Sequence, residues 1–497
     1  MTAILQNVSF FFIANVAARG LGVVKAFWLA RILDPGNYGV WVFLLLLSAF
    51  VPILSLGTIE TLMKKVPFFR GKGDSTSVRE TEEAVFSFML LVAIVVFCAA
   101  FPSGSLLKGG PYQRYAVPVQ LMFLAVGFSL LSAFFFYRLQ SYQRFDLAST
   151  ITTARSFLVL VCQIPLSYVL GLTGVFLGFL ASEVLVFVCS VLLNRKLPTT
   201  IALRFRPSLY AGLIRTGLPI TIVWWTYMIQ TSVDRLVSMT MLGEAPTGYY
   251  GIGMSIAAAF LLLPDAVNQV LYPSINEEYG RTMSSRNLAP LVVDPARIVS
   301  VFLPFLACVS VVILPFIFTV IVPKYSPGLV AAQLLIVAAL YSGLMRGGAN
   351  FLVSTDKQWL LLVYIAGCIA TNLFGSVLLV KLGLGIAGIA VSTVVSSALL
   401  SVVTWASVFR AMGSKAKDGF VLVLDLFVPA LLFTLLAIGN QVFFRSVAVP
   451  SQSYFALIAV EIVVYWCVLF AMRRYRKLVI ETMHSLFGAI ANRMRDY

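Results

Sequence analysis

Three basic side chains lie inside long apolar stretches of the sequence, where a charge is uncommon. Arg19 and Lys25 fall in the first apolar run, and Arg155 falls in the fifth. A charge at the centre of a membrane helix costs about 2.5–3.5 kcal/mol on insertion scales, so a retained charge usually faces a cavity or a partner. Arginine pairs with phosphate oxygens through two parallel hydrogen bonds. The three cations therefore predict a positively charged cavity that binds an anionic substrate.

Carboxylates in similar surroundings suggest a second kind of chemistry. Four of them lie in these runs or at their ends: Glu183, Asp234, Asp265 and Glu461. Burial favours the protonated form of a carboxylate and a nearby cation favours the ionised form. Such a group could exchange a proton or hold sodium during a transport cycle, so the four are candidates for ion coupling or gating.

Most of these charges also have a structural explanation, which for Arg19 is a bond to carbonyl oxygens of neighbouring helices. Arg155 and Glu183 differ in depth by about 4.5 Å in neighbouring antiparallel runs, at 1.5 Å per residue, so they could form an ion pair without touching a substrate. Lys25 could extend its amine to the membrane surface. Asp234 could be a gate or a charge at a helix end, and Asp265 could bond backbone left irregular by the proline before it. At the level of sequence both explanations stay open.

Aromatic residues cluster in the seventh apolar run, at Trp224, Trp225 and Tyr227. Sugar rings stack on aromatic faces, so these three residues are a candidate glycan path. Packing between helices or anchoring at the membrane interface is the alternative explanation.

The composition identifies the class of protein to which these residues belong. Of the 497 residues, 60% are hydrophobic and 11% are charged, whereas a soluble domain is about 45–50% apolar and about 25% charged. We therefore expect an all-α, polytopic membrane protein. The six cysteines form no close pair and His484 is the only histidine, so no metal site is expected. No cofactor is expected either, apart from the coupling proton or sodium ion.

Fourteen stretches are long and apolar enough to cross a bilayer, with twelve or thirteen spans as the alternatives. The predicted spans are 8–30, 39–62, 85–103, 115–136, 148–169, 172–193, 216–238, 247–273, 294–322, 328–345, 359–380, 384–409, 421–443 and 452–472.

The distribution of basic residues predicts the orientation. With the N-terminus inside, 26 of the 36 lysines and arginines fall in cytoplasmic segments, seven fall outside and three lie within spans. Cytoplasmic loops retain positive charge, so the split favours an even number of spans and two cytoplasmic termini. The net charge of +16 then reflects topology and attraction to anionic lipid headgroups, and no nucleic-acid partner is expected. Residues 473–497 have the spacing of an amphipathic surface helix, with a disordered tail as the alternative.

Two segments separated by 212 residues suggest an internal repeat. The same offset carries Gly36 onto Gly248, Tyr38-Gly39 onto Tyr250-Gly251, and Pro52 onto Pro264. Transporters are often built from duplicated bundles. We predict a six-helix bundle over 1–196, a second over 197–412, an extra helix pair over 413–472 and a cytoplasmic tail over 473–497.

Several short segments resemble a known family. They are Arg31 to Gly39, Leu56-Gly57 to Lys65, Asp234-Arg235 ahead of Gly248-Tyr249, and Lys381 to Thr393. They look like bacterial Wzx-type polysaccharide flippases of the multidrug/oligosaccharidyl-lipid/polysaccharide (MOP) superfamily. The resemblance implies a V-shaped pair of helical bundles in the bacterial inner membrane. It also implies a non-enzymatic carrier that moves undecaprenyl-pyrophosphate-linked oligosaccharide by alternating access, for O-antigen, capsule or exopolysaccharide. Its partners would be that substrate and membrane lipids, with other polysaccharide-assembly proteins left open.

Three other functions remain as alternatives. A peptidoglycan lipid precursor flippase is close in design. A multidrug antiporter of the same superfamily would be expected to stop at twelve spans and to favour acidic cavity residues. A membrane glycan polymerase would usually carry a sizeable exported loop, and no predicted exported loop here exceeds about a dozen residues.

Overall fold

A computed structural model describes residues 17, 18, 20–106, 110, 113–197, 202–205 and 207–446. This part of the chain is helical, with short connections and no β-strand, as the all-α prediction requires. Contacts between Cα atoms divide the chain into unit 1, residues 1–252, and unit 2, residues 253–497. The four segments that the sequence suggests, with bundles over 1–196 and 197–412, stay a prediction.

Unit 1 contains eight helices and the start of a ninth within the described residues. They are α1 (20–32), α2 (Pro35–Phe50), α3 (Thr58–Gly71), α4 (Ser75–Leu106), α5 (Ala116–Ser141), α6 (Phe145–Asn194), α7 (Pro207–Gln230), α8 (Val233–Met241) and α9 (Glu244–Phe260). Helices α4, α5 and α6 pack side by side, and α3 packs against α4, α5 and α7.

Unit 2 is organised around one buried helix. Its helices are α10 (Leu262–Thr282), α11 (Ala289–Phe316), α12 (Leu329–Ser354), α13 (Gln358–Lys381), α14 (Gly385–Ala411) and α15 (Ala416–Ser446). In the apolar stretch of α12, 78% of the residues are buried, against 22% in α13. Helix α12 is therefore the centre of unit 2 and α13 lies at its periphery.

Nine helices of the described part are long and apolar enough to cross a membrane. They coincide with predicted spans two to six and nine to thirteen, because α6 alone holds spans five and six. Predicted span eight coincides with the α9–α10 pair, and predicted span seven runs from α7 across a turn into α8. Predicted span one overlaps α1 from residue 20, and residues 8–16 and 19 of this span lie outside the described residues. The last predicted span, 452–472, and the tail, 473–497, lie outside the described residues. The protein is thus a multi-pass membrane protein, and the total of fourteen spans stays a prediction.

Helix α6 folds back on itself at Gly171. That residue has φ 55° and ψ −133°, and it interrupts 50 residues that are otherwise helical. The two arms then pack so closely that a Cβ placed on Gly178 would press on the backbone of Cys162 and Gln163. L-residues rarely adopt positive φ, whereas glycine adopts it readily. The sequence predicts the boundary between spans five and six at this point.

The two segments related by the 212-residue offset meet at the starts of α2 and α9. Helix α2 begins after Asp34, whose carboxylate accepts a hydrogen bond from the Asn37 N–H at 3.1 Å. A Cβ on Gly39 would overlap the carbonyl oxygen of Glu244, and one on Gly248 would overlap that of Pro35. The backbones can approach this closely only because both contact positions are glycine.

A buried ion pair joins the ends of α4, α5 and α6 in unit 1. The Arg138 guanidinium donates to both carboxylate oxygens of Glu82, at 3.0 and 3.1 Å, and to the side-chain oxygen of Asn194 at 3.3 Å. The Arg138 and Glu82 side chains are 2% and 1% exposed. The predicted span 115–136 ends before Arg138, whereas α5 continues to Ser141 and includes it.

Replacing Gly171 with alanine is expected to destabilise the protein by about 1–3 kcal/mol, because the new Cβ makes this backbone conformation unfavourable. The thermal unfolding midpoint in detergent measures the loss. Gly212→Ala is the matched control, since Gly212 is an exposed helical glycine with open space around it, where alanine is neutral or stabilising. An unchanged midpoint in Gly171→Ala would contradict the assignment of strain to this turn.

Replacing Arg138 with glutamine is expected to cost about 3–5 kcal/mol, because it leaves Glu82 buried without its counter-charge. The control is Arg144→Gln, which breaks the exposed Arg144–Asp146 pair and should cost at most about 1 kcal/mol. Glu82→Gln/Arg138→Met removes both charges and should recover much of the lost stability. Equal unfolding midpoints for Arg138→Gln and Arg144→Gln would show that the buried pair contributes no more to stability than the exposed pair.

Candidate functional site

The structure brings two of the three predicted cations together with one carboxylate. An Arg155 guanidinium nitrogen lies 3.2 Å from a Glu183 carboxylate oxygen, across the two arms of α6. Lys25 of α1 lies close enough to Glu183 to interact with it electrostatically, and the Ser129 hydroxyl of α5 donates a hydrogen bond to that carboxylate. We call Lys25, Arg155 and Glu183 the cationic cluster, since two positive charges share one negative charge.

Exposure differs sharply within the cationic cluster. The Glu183 side chain is 3% exposed, whereas that of Arg155 is 37% exposed. The Arg155 Nε is nevertheless buried and makes no hydrogen bond with any described residue. The Lys25 amine lies 5.4 Å from the centre of the Trp41 ring, an arrangement that favours a cation. Glu183 therefore anchors the cluster, and Arg155 retains donors for another acceptor.

Two residues that the sequence analysis did not select extend the cationic cluster. Tyr137 of α5 interacts electrostatically with both Arg155 and Glu60. Glu60, in the first turn of α3, has a buried carboxylate oxygen with no hydrogen-bond partner among the described residues. The signal for Glu60 was available, since it lies inside predicted span two.

Asp234 is held in place by its neighbours. It is 3% exposed, and its carboxylate accepts a hydrogen bond from the Tyr250 hydroxyl at 2.9 Å and from the Arg235 N–H at 2.8 Å. It also lies in the first turn of α8, where the helix dipole favours a negative charge. These contacts are those of a charge at a helix end, and a gating role for Asp234 stays a prediction.

Asp265 forms an ion pair with Arg346. The pair joins α10 to α12, and one turn further along the Asn350 amide donates to the Asn268 side-chain oxygen at 3.3 Å. Predicted span ten ends at residue 345, which puts Arg346 in the cytoplasmic segment that follows. The structure extends α12 to Ser354, so the arginine reaches a carboxylate from the middle of predicted span eight. Ion coupling at Asp265 stays a prediction.

The remaining predicted site residues are less informative. Arg19 and Glu461 lie outside the described residues. Trp225 and Tyr227 are half-buried on α7, and the glycan path along that helix, which includes Trp224, stays a prediction. Within the described part of the chain, no group of three histidine, cysteine or acidic residues could hold a metal ion.

Sequence comparison identifies the family of this membrane protein. The profile of the polysaccharide biosynthesis protein family matches residues 4–277, which is more than half of the chain. The chain belongs to this family. A search of curated protein sequences found no match. The cationic cluster and the α6 hairpin both lie within the part of the chain that carries the family match.

Solved structures show that this member of the polysaccharide biosynthesis family has a transporter fold. The lipid II flippase MurJ, in an inward closed conformation, is 14% identical with a TM-score of 0.66, over 94% of this chain and 99% of that chain. An inward-facing MATE family multidrug resistance transporter of the MOP superfamily is 14% identical with a TM-score of 0.62, over 85% and 98%. A Pyrococcus furiosus MOP superfamily transporter, described as having a binding pocket of reverse polarity, is 14% identical with a TM-score of 0.55, over 85% and 96%. At 14% identity these comparisons establish only that the fold is shared.

Proposed function

We propose that this protein is a Wzx-type flippase. It would move undecaprenyl-pyrophosphate-linked oligosaccharide repeat units from the cytoplasmic to the outer leaflet of the bacterial inner membrane by alternating access, with both termini in the cytoplasm. The observation that carries the proposal is the cationic cluster within the membrane-spanning part of a polysaccharide biosynthesis family member. Its role is to bind and carry, and no chemical step on the glycan is assigned to it.

The charge balance of the cationic cluster favours an anionic substrate. Lys25 and Arg155 carry two positive charges and Glu183 carries one negative charge when ionised, so the three residues of the cluster leave one positive charge to be compensated; Glu60, which reaches the cluster through Tyr137, offsets it only when it is ionised. A pyrophosphate offers several oxygens to a guanidinium fork and an ammonium group. Arg19 would add a further cation to the same cavity. An excess of positive charge would repel the cationic substrates of a multidrug antiporter.

Alternating access requires contacts that can open. If the bundles lie as predicted over 1–196 and 197–412, α2 and α9 belong to different bundles, and the Gly39–Gly248 crossing is a contact between them. A second contact lies at the start of α9, where the Arg114 guanidinium is 2.6 Å from the Glu244 carboxylate. The Tyr115 hydroxyl donates a hydrogen bond to the same carboxylate at 2.5 Å. We propose that both contacts separate when the cavity opens to the outside.

Neutralising the cationic cluster should reduce transport, and Arg155→Gln should also lower the stability because the buried Glu183 carboxylate then has one cation fewer beside it. Lys25→Gln and Arg155→Gln each remove charge-assisted hydrogen bonds worth about 1.5–3 kcal/mol, so export should fall at least about tenfold. Surface polysaccharide in a complemented deletion strain is the measurement, and Arg144→Gln, in an exposed loop pair, is the control. Arg155→Gln/Glu183→Gln removes both partners and should be folded but inactive. Normal export by both single variants would contradict the proposed site.

The deletion strain separates the lipid-linked alternatives. Loss of the proposed function should accumulate lipid-linked repeat units inside the cell and abolish surface polysaccharide. Accumulation of the peptidoglycan lipid precursor instead would replace our proposal with that of a peptidoglycan precursor flippase. If neither lipid accumulates, the protein is not a flippase of either kind.

Ion coupling is a separate part of the proposal. Glu183 could take up a proton or sodium ion when substrate draws Arg155 away, because burial disfavours an unpaired carboxylate; Asp234, Asp265 and Glu461 are the other candidates. In proteoliposomes, transport should respond to a proton or a sodium gradient, and Glu183→Gln should abolish the response. Transport that ignores both gradients would show that none of these carboxylates couples an ion.

A further inference from the structure

Two neighbouring helices of unit 2 each have an accessible face that carries several polar side chains; we call these the polar face of each helix. On α10, Asp265, Asn268 and Tyr272 recur at i, i+3 and i+7, and all three are half-buried or exposed. In the second half of α12, the positions that remain accessible lie on one side of the helix. They are Ser342, Arg346, Gly347, Ala349, Asn350, Val353 and Ser354.

The composition of this surface does not suit contact with lipid. The exposed positions of peripheral helix α13 are apolar up to Lys381 at its end, as shown by Trp359, Val363 and Phe374, which are 71%, 67% and 73% exposed. Charged side chains in spanning helices almost always face the bundle interior or a water-filled cavity. We therefore assign the polar face of α10 and α12 to the wall of an aqueous space.

Arg346 has hydrogen-bonding capacity beyond its ion pair. Its side chain is 25% exposed and that of Asp265 is 12% exposed. A guanidinium group has five N–H donors, and a carboxylate accepts two of them in a bidentate pair. The Arg346 Nε is buried and makes no hydrogen bond with any described residue. The amides of Asn268 and Asn350, one turn away, offer donors and acceptors of the kind that sugar hydroxyls need.

We propose that Arg346 is a second anion-binding residue, which Asp265 holds until an oxyanion of the substrate takes its place. The oxyanion is either the lipid pyrophosphate or the carboxylate of an acidic sugar, since both present oxygens to a guanidinium fork. This inference rests on the proposed function, because it takes the cargo to be a lipid-linked glycan. It adds that unit 2 recognises an oxyanion with residues separate from the cationic cluster of unit 1.

The proposed role of Asp265 predicts that substitutions of the two partners change anion binding in opposite directions. If Asp265 competes with the oxyanion for Arg346, Asp265→Asn should strengthen binding, while Arg346→Gln should weaken it. An ion pair that only joins α10 to α12 would leave binding unchanged in both variants. Opposite effects from the two partners of one pair therefore separate anion binding from helix packing.

The test measures binding to the purified full-length protein in lipid nanodiscs by calorimetry. The probes are undecaprenyl pyrophosphate without sugar, and a glucuronic acid disaccharide without lipid. With at least one probe, Asp265→Asn should bind about tenfold tighter and Arg346→Gln about tenfold weaker than the wild type. The responding probe identifies the source of the oxyanion. Arg281→Gln, which breaks the exposed Arg281–Glu278 pair at the end of α10, should match the wild type.

If Arg346→Gln does not fold, a double variant still tests the proposal. Asp265→Asn/Arg346→Gln replaces both charges with amides, so no buried charge is left unpaired. It should bind as weakly as Arg346→Gln, and its comparison with Asp265→Asn isolates the guanidinium. If neither probe distinguishes Asp265→Asn from this double variant, the proposal is overturned.

Failure of this inference differs from failure of the proposed function. Normal probe binding by the double variant, with export lost in Lys25→Gln, would remove the role of Arg346 and leave the flippase intact. Normal surface polysaccharide in the deletion strain, with probe binding that depends on Arg346, would remove the proposed flippase function and leave the anion-binding role of Arg346 intact.

Discussion

A charge inside a bilayer must find a partner, and this constraint shapes both units of the protein. Three arginines within the spanning helices meet carboxylates on other helices or on the other arm of a hairpin: Arg138 with Glu82, Arg155 with Glu183, and Arg346 with Asp265. Each pair neutralises charge that hydrocarbon would disfavour. Each also fixes one helical segment against another, so the requirement for neutrality contributes directly to the packing.

The three pairs differ in what else can reach them. Arg138 is 2% exposed, and its guanidinium is enclosed by Glu82 and Asn194. Arg155 and Arg346 are 37% and 25% exposed, and each has a buried Nε that no described residue satisfies. A closed pair serves packing, whereas an arginine with open donors can exchange one acceptor for another. Exposure combined with unused donors is therefore the basis on which we propose Arg155 and Arg346, and not Arg138, as anion-binding residues.

Much of the architecture follows from the sequence because apolar length is a strong signal. The nine helices long enough to cross a membrane coincide with predicted spans, the break at Gly171 falls at a predicted boundary, and the ion pair considered for Arg155 and Glu183 is present. The ion-pair partners of Arg138 and Arg346 could not be predicted from the sequence. The length of an apolar run places a residue along the membrane normal, but it does not say which distant helix lies alongside. Both arginines were assigned to loops because each follows the end of an apolar run, although the helix continues past it.

The hairpin of α6 has a consequence for how the protein enters the membrane. Gly171 turns the chain within a single residue, so no polar loop has to be carried across the bilayer between the two arms. Arg155 and Glu183 lie on opposite arms and meet as soon as the hairpin closes. The pair can therefore leave the translocation machinery as one electrically neutral unit, although either arm alone would carry an uncompensated charge into lipid. Joint insertion of the two arms is therefore less costly than insertion of one arm after the other.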